Sequence, residues 1–431
     1  MIALFKKVSA ALSRVVVILL VTPPLYSQST QAVQGRPITL QEAFHFTKQN
    51  SETIAASQAG IEEAKHRVKE LWGTALPQIN LQATEFIQDS ATAGGGVQST
   101  FNRRERPEAK ITFNQQIFSG FREFLGIKAL RFRKEGLELD LARATSLLYM
   151  DVARAYLDLL GAQRELATRQ TTVELTKERV KDLESRAKLG RSRNSEVLAA
   201  KVQLSRLEAQ LPEVAGREAA SQAVLGYMTG IEQRLAPQEP KPPTQTDLTH
   251  SLNLARIRSD VESLRRQFYA AEFIEKAQRR ERWPTLSVGG AWYLKRVGFQ
   301  EDINWDMTFA ANLPLFTGNQ ITSRISQAEL RRKAAEFNLR GTERLAQSEV
   351  KAAWTQLASS IERIGSLMAA VDLAERNARA QSEDYRLGVV TNLDVLAALT
   401  QLQDARLDLE NAKLSAALWA VQLETAAGGP K

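Results

Sequence analysis

The sequence predicts a mainly α-helical protein with a small transmembrane β part, built as a duplicated unit of helix, β-hairpin, very long helix and helix. Three observations carry this. Residues 189–200 read LGRSRNSEVLAA and residues 387–398 read LGVVTNLDVLAA, eight of twelve positions agreeing if Glu and Asp count as equivalent, at an offset of 198. IFSGF at 117–121 and LFTGN at 315–319 share that offset, placing Phe118 on Phe316 and Gly120 on Gly318. Two matches at one offset leave no net insertion between them, so roughly half the chain is a tandem duplication, and a repeat of that size decides the fold class. The second observation is the absence of proline between Pro107 and Pro212 and between Pro314 and Pro430. The third is a set of segments in which apolar and polar residues alternate, between the helical stretches.

The first residues read as an export label. Lys6 and Lys7 precede an apolar run from Val15 to Val21, followed by Pro23, Pro24 and small polar residues. That is the order of a secretory signal peptide, and the run is too short for a spanning helix of about 20 residues. Residues 1–27 are therefore expected to be removed near Ser27. With no Cys in the chain, the exported protein has no disulfide and no Cys to carry a lipid, a metal or a nucleophilic role. Loss of Lys6, Lys7 and Arg14 lowers the net charge from +8 to +5. The remaining basic residues are interleaved with acids, which is a solvated face rather than a nucleic-acid surface.

Thr39 and Glu42 form a capping box that opens a helix running to about Trp72, ahead of Gly73 and Pro77. A hairpin follows. In its first strand Ile79, Leu81, Ala83 and Ile87 face one way and Gln78, Asn80, Gln82 and Thr84 the other. In the second, Ile111, Phe113 and Ile117 oppose Lys110, Thr112, Asn114 and Gln116, after a loop from ATAGGGVQST to Pro107. From Leu137 to Leu166 the apolar spacing averages about 3.6, and Leu166, Val173, Val180 and Ala187 continue at sevens, the seam of a supercoiled pair. A helix over about 121–188 would be roughly 100 Å long. The returning helix starts near Ser195 and fades near Gly226, with Pro212 expected to kink or interrupt it. Together the two shorter helices match one long helix in length, so they can stack end to end beside it.

The first unit thus spans 38–230. Residues 231–250, with Pro237, Pro240, Pro242 and Pro243, read as a linker. The second unit spans 251–425. Its strands carry Leu286, Val288, Trp292 and Leu294, then Ile303, Trp305, Met307, Phe309 and Leu313, and its long helix covers about 319–386.

These strands admit two readings: a soluble sheet packed on one face, or a wall of a membrane barrel. No helix is left over to cover the sheet, and strands of about 10 residues with aromatic ends (Trp283, Trp292, Tyr293, Trp305) suit a barrel with its apolar face toward lipid. Four strands cannot close a barrel, so the edges need partner chains.

Catalytic motifs are missing. There is no P-loop pattern, His45, His66 and His250 lack ligand spacing, Ser residues lack a nucleophile elbow, and Glu62 with Glu63 is ordinary helix surface. No catalytic, cofactor-binding or metal residue is expected, and no enzyme activity.

The order of elements resembles the outer membrane efflux protein family, the TolC-like exit ducts. The resemblance covers about 38–425 and rests on ITLQEAFHFTKQNS, LPQINLQATEF, IFSGF, LFTGN and, most specifically, YRLGVVTNLDVLAALTQLQDARLDLENAKL. It implies a homotrimer in outer-membrane lipid, with a twelve-strand β-barrel on a twelve-helix α-barrel tunnel reaching across the periplasm. It also implies a passive duct of a tripartite efflux or type I secretion system, energised by an inner-membrane transporter through a periplasmic adaptor. The alternative is a periplasmic coiled-coil adaptor or scaffold that does not span the membrane.

In this light the repeated stretch is the turn at the end of each hairpin of long helices. Leu189, Gly190 and Asn194 in one tip, and Leu387, Gly388 and Asn392 in the other, are the expected adaptor-docking residues. The glycines would end one helix, the asparagines would cap the next, and Glu196 and Asp394 would sit in its first turn. The resemblance further places Asp394, Tyr385 and Glu196 at the periplasmic gate. Val390 stands where a latch arginine is expected and Ala397 where a second Asp is, which leaves a single acidic ring.

Overall fold

The computed structural model describes residues 35–89, 105–298 and 300–429. The proposed export label and the ATAGGGVQST loop lie outside these.

The chain enters through a short strand β1 (Arg36–Ile38) and helices α1 (Leu40–Asn50) and α2 (Glu52–Gly73). The capping box forms as expected, with the Thr39 N–H and hydroxyl 2.8 and 2.9 Å from Glu42 Oε2 and the Glu42 N–H donating back at 3.2 Å. The single helix expected over 39–72 is two helices, however. Ser51 is extended, and its hydroxyl accepts from the Ile54 N–H to start the second. The Asn50 side chain donates to the Thr229 carbonyl at 2.8 Å, so the break locks the entry helix to a distant part of the chain.

Strands β2 (Gln78–Ile87) and β3 (Glu105–Phe118) lead to the long helix α3 (Arg122–Lys188) and its return α4 (Asn194–Thr229). At 67 residues α3 is about 100 Å long. Its heptad seam is buried at Val173 and Val180. Pro212 does not interrupt α4, which runs unbroken through it. The proline removes one hydrogen bond, while buried Leu207 and Val214 hold the helix on either side.

The segment 231–250 is anchored. Its strand β4 (Leu235–Pro237) pairs in parallel with β1, and the Tyr156 hydroxyl of α3 lies 2.9 and 2.6 Å from the carbonyls of Ile38 and Gln238. Ile38, Leu235, Tyr156, Leu159 and Leu225 are buried together there. Helices α5 (Leu248–Arg256) and α6 (Ser259–Arg279) then repeat the broken entry of the first unit. The buried Arg258 at that break pairs with Asp260 at 2.7 Å and Glu349 at 2.5 Å.

Strands β5 (Thr285–Lys295) and β6 (Trp305–Asn312), the 68-residue helix α7 (Gln320–Leu387) and its return α8 (Asn392–Ala427) complete the second unit. Helix α6 packs against both α3 and α7, joining the two units.

The two hairpins form one antiparallel sheet, β2-β3-β5-β6, joined at β3 and β5. Paired residues share a face. Ile79–Phe113–Gly290–Met307 and Leu81–Ile111–Trp292–Trp305 run across all four strands on one side, and Asn80–Thr112–Ala291–Asp306 on the other. The expected alternation therefore makes a continuous apolar face. It is uncovered: Ile79, Leu81, Trp292, Trp305 and Phe309 are each more than 60% exposed. Gly290 is required beneath Phe113, whose ring occupies the space a Cβ would need. Strands β2 and β6 are the two edges.

Candidate functional site

The long helices end far from the sheet in two tips. Both close with the same motif. In the first, the Gly190 N–H donates to the Ala187 carbonyl at 3.0 Å and the Arg191 N–H to the Arg186 carbonyl at 2.8 Å. In the second, the Gly388 N–H donates to Tyr385 at 3.1 Å and the Val389 N–H to Asp384 at 3.0 Å. This is a Schellman closure, which needs a left-handed residue after the helix; Gly190 and Gly388 have φ of +71° and +77°.

The returning helices start differently. Thr391 caps α8, its hydroxyl and N–H lying 2.6 and 2.9 Å from Asp394 Oδ2 in a capping box. Helix α4 follows Arg193, which makes no side-chain cap bond. The expected asparagine caps are thus corrected: Asn194 and Asn392 are the first helical residues, one position too late to cap. Asn194 is exposed. Asn392 is 1% exposed and its Oδ1 accepts from Arg179 Nε at 3.1 Å.

Tyr385 and Glu196 come together. The Tyr385 hydroxyl donates to Glu196 Oε2 at 3.3 Å, and the Ser192 hydroxyl donates to the same oxygen at 2.6 Å. The Arg179 guanidinium lies 4.1 Å and that of Arg186 5.6 Å from the Tyr385 ring centre. Asp182 bridges the two arginines, at 3.4 Å from Arg179 and 3.1 Å from Arg186. Beneath lie Val180, Leu183, Val197, Ala200 and Leu396. Asp394 is turned back onto its own helix, and the Thr391 hydroxyl and N–H hold its carboxyl below the ordinary value of 3.8.

Sequence reasoning missed Arg179, Arg186, Asp182 and Thr391. The Thr391-x-x-Asp394 spacing was a usable signal for the cap. For the arginines there was none, since a basic residue on a helix surface is common.

The tips also carry uncovered apolar side chains: Leu189 (70%), Leu387 (77%), Val389 (72%) and Leu393 (69%). Among the described residues, no three His, Asp or Glu side chains gather where they could hold a metal ion.

Comparison with known proteins agrees with the overall fold. The chain is 24% identical to outer membrane protein TolC of Vibrio cholerae over 414 residues, covering 90% of each protein. It is 27% identical to Escherichia coli TolC over 117 residues, 27% of this chain and 24% of that one. Among solved structures, CusC, described for conformational changes accompanying folding and transmembrane channel formation, superposes with a TM-score of 0.82 at 16% identity, over 91% of this chain and 92% of that one. The outer membrane protein VceC of Vibrio cholerae gives 0.77 at 19% identity, over 90% and 96%. The family model of outer membrane efflux proteins matches residues 45–230 and 254–429, one stretch for each unit. The chain therefore belongs to the outer membrane efflux protein family.

Proposed function

We propose that this outer-membrane efflux protein works as a passive homotrimeric duct, a twelve-strand barrel continued by a twelve-helix tunnel. In this reading a periplasmic adaptor docks on the tips around Leu189, Gly190, Asn194, Leu387, Gly388 and Asn392, and an inner-membrane transporter supplies the energy. Asp394 from three copies would ring the entrance beside Tyr385 and Glu196. Residues 1–27 would direct export, and the protein would carry no lipid.

The observation that carries the trimer is a sheet with a bare apolar face and two open edges, which hydrocarbon does not tolerate. The repeat supports a definite pairing. The hairpin registers equate β3 with β6 and β2 with β5, so the β3–β5 seam is a template for β6 against β2 of a second copy. Thr112 pairs with Ala291 inside the chain; the corresponding contact is Ala310 with Thr84 of the partner subunit. Because the chain has no Cys, Ala310→Cys with Thr84→Cys gives a clean test. Mild oxidation in outer membranes should yield covalent dimers and trimers, and Ala310→Cys with Gln82→Cys far fewer. A stable monomer by mass measurement in detergent would sink the trimer.

A further inference from the structure

We propose that a pocket on α3, just below the sheet, binds the phosphate of an anionic phospholipid through Lys128 and Arg131. The inference rests on the reading that the sheet lies in the outer membrane, and it places the lipid in the leaflet nearer the helices.

An aromatic path leads from the sheet to the pocket. The β-bulge between Gln116 and Phe118 pairs Phe118 with Leu286, which puts its ring on the apolar face with Val288 and Trp292. From there the rings meet in sequence: Phe118 and Phe121 at 5.2 Å, Phe121 and Phe124 at 6.4 Å, Phe124 and Trp72 of α2 at 5.8 Å. Phe121, Phe124 and Trp72 are all exposed. Trp72 and Phe124 line an open pocket of about 350 Å³ that also takes in Lys128 and Arg131. Helix α3 is flanked by α2 and α6 of the same chain, so one chain builds the whole site.

The depth suits a headgroup. Phe124, Lys128 and Arg131 fall on one helix face at spacings of four and three, which puts the two cations about 6 and 10 Å beyond Phe124 along the axis. The headgroup layer is about 5–8 Å deep on each side of the hydrocarbon. Helical side chains lean toward the helix N-terminus, and in α3 that is the sheet end, so both cations lean back toward the level of Phe124.

Their charges are also unspent. Both side chains are exposed, and among the described residues neither has a carboxylate partner. Lys128 sits over the Phe273 ring at 4.5 Å, which holds the ammonium without neutralising it. The acid one turn beyond Arg131, Glu135, is engaged by Arg266 at 3.3 Å. Neighbouring Lys134, by contrast, has Glu138 at 2.9 Å. Like charges three residues apart on a helix repel, and a phosphate between them removes that cost. The duplication supplies a control. At the offset of 198, Phe121, Phe124, Lys128 and Arg131 correspond to Asn319, Thr322, Ser326 and Glu329. Helix α7 forms without the aromatic and basic stripe, so the helix itself does not demand it.

The test is native mass spectrometry of the full-length protein in detergent, with phosphatidylglycerol, phosphatidylcholine or inorganic phosphate added. Wild type should retain phosphatidylglycerol in preference to phosphatidylcholine, and inorganic phosphate should not displace it. Lys128→Gln and Arg131→Gln should each weaken that binding on the order of fivefold, and the double variant roughly twentyfold. Lys177→Gln with Lys201→Gln, the same loss of charge toward the first tip, should leave it unchanged. If the double variant does not assemble, Arg131→Gln carries the test. No preference in wild type, an unchanged preference in the assembled variants, or an equal loss in the tip variant overturns the site. Displacement by inorganic phosphate makes it a free-anion site and overturns the lipid. A wild-type protein that does not insert into lipid vesicles overturns the membrane reading instead.

Discussion

The two units share a backbone and differ in what surrounds it. Where each hairpin leaves the sheet, two successive residues are left-handed: Gly120 and Phe121 with φ of +71° and +63°, Gly318 and Asn319 with +56° and +66°. In the first unit this exit is packed. Phe118 lies 5.2 Å from Phe121 and 6.4 Å from Trp283 of the second unit, and a Cβ on Gly120 would sit 3.1 Å from the Arg280 carbonyl oxygen. In the second unit Leu315 and Phe316 are each 90% exposed, and nothing lies within 4 Å of Gly318 in the same sense. The tips diverge likewise: the acid of the first, Glu196, accepts from Tyr385, whereas the acid of the second, Asp394, closes its own cap. Duplication copied the local turns. The first unit then found its neighbour inside the chain, and the second is left facing outward, where a further copy would supply the missing side.

If the sheet is one wall with pseudo-equivalent halves, Ile111→Arg and Phe309→Arg should be equally harmful. Each should weaken membrane insertion by about 2–4 kcal/mol if the site lies near mid-bilayer. Denaturant titration of folding into lipid vesicles measures this. A large effect at only one of the two would break the equivalence.

The tip glycines come next. A left-handed residue with a Cβ costs about 1–2 kcal/mol, and both sites are open to solvent, so strain rather than collision is the expected defect. Gly190→Phe and Gly388→Phe should each abolish transport through the assembled system, with oligomer mass unchanged. Full efflux in both variants would remove the docking role. Loss at one tip only would show that the partner reads a single unit.

The smallest effects separate the two caps. Thr391→Ala should lower stability by about 1 kcal/mol, while Arg193→Ser, which installs the cap the first unit lacks, should stabilise slightly. Because the folded carboxyl of Asp394 titrates below 3.8, its contribution is present above that value and fades as pH falls through the lowered one. Thermal unfolding followed from pH 5 downward should show this loss in wild type and a smaller one in Thr391→Ala, which keeps the backbone N–H contact to the carboxyl. Asp394→Ala should also reduce cation selectivity and block by multivalent cations in bilayers, but modestly, since Ala397 provides no companion acid.

The sequence by itself determined the duplication, the long helices, the alternating strands, the glycine turns and the Thr39–Glu42 box. All of these are written in near-neighbour spacing, whether a period of two, a period near 3.6, or a residue that alone tolerates positive φ. The break at Ser51 escaped, because a one-residue cap hardly disturbs an apolar pattern that resumes beyond it. Pro212 does not interrupt its helix, because a lost hydrogen bond is local while the packing that offsets it comes from residues on neighbouring helices. Only the tertiary structure decided that Asn392 is buried against Arg179 rather than capping its helix, and that Tyr385 and Glu196 meet. Those residues are brought together by the crossing of two hairpins some 200 positions apart in sequence. No local period records which face of one long helix meets which face of another.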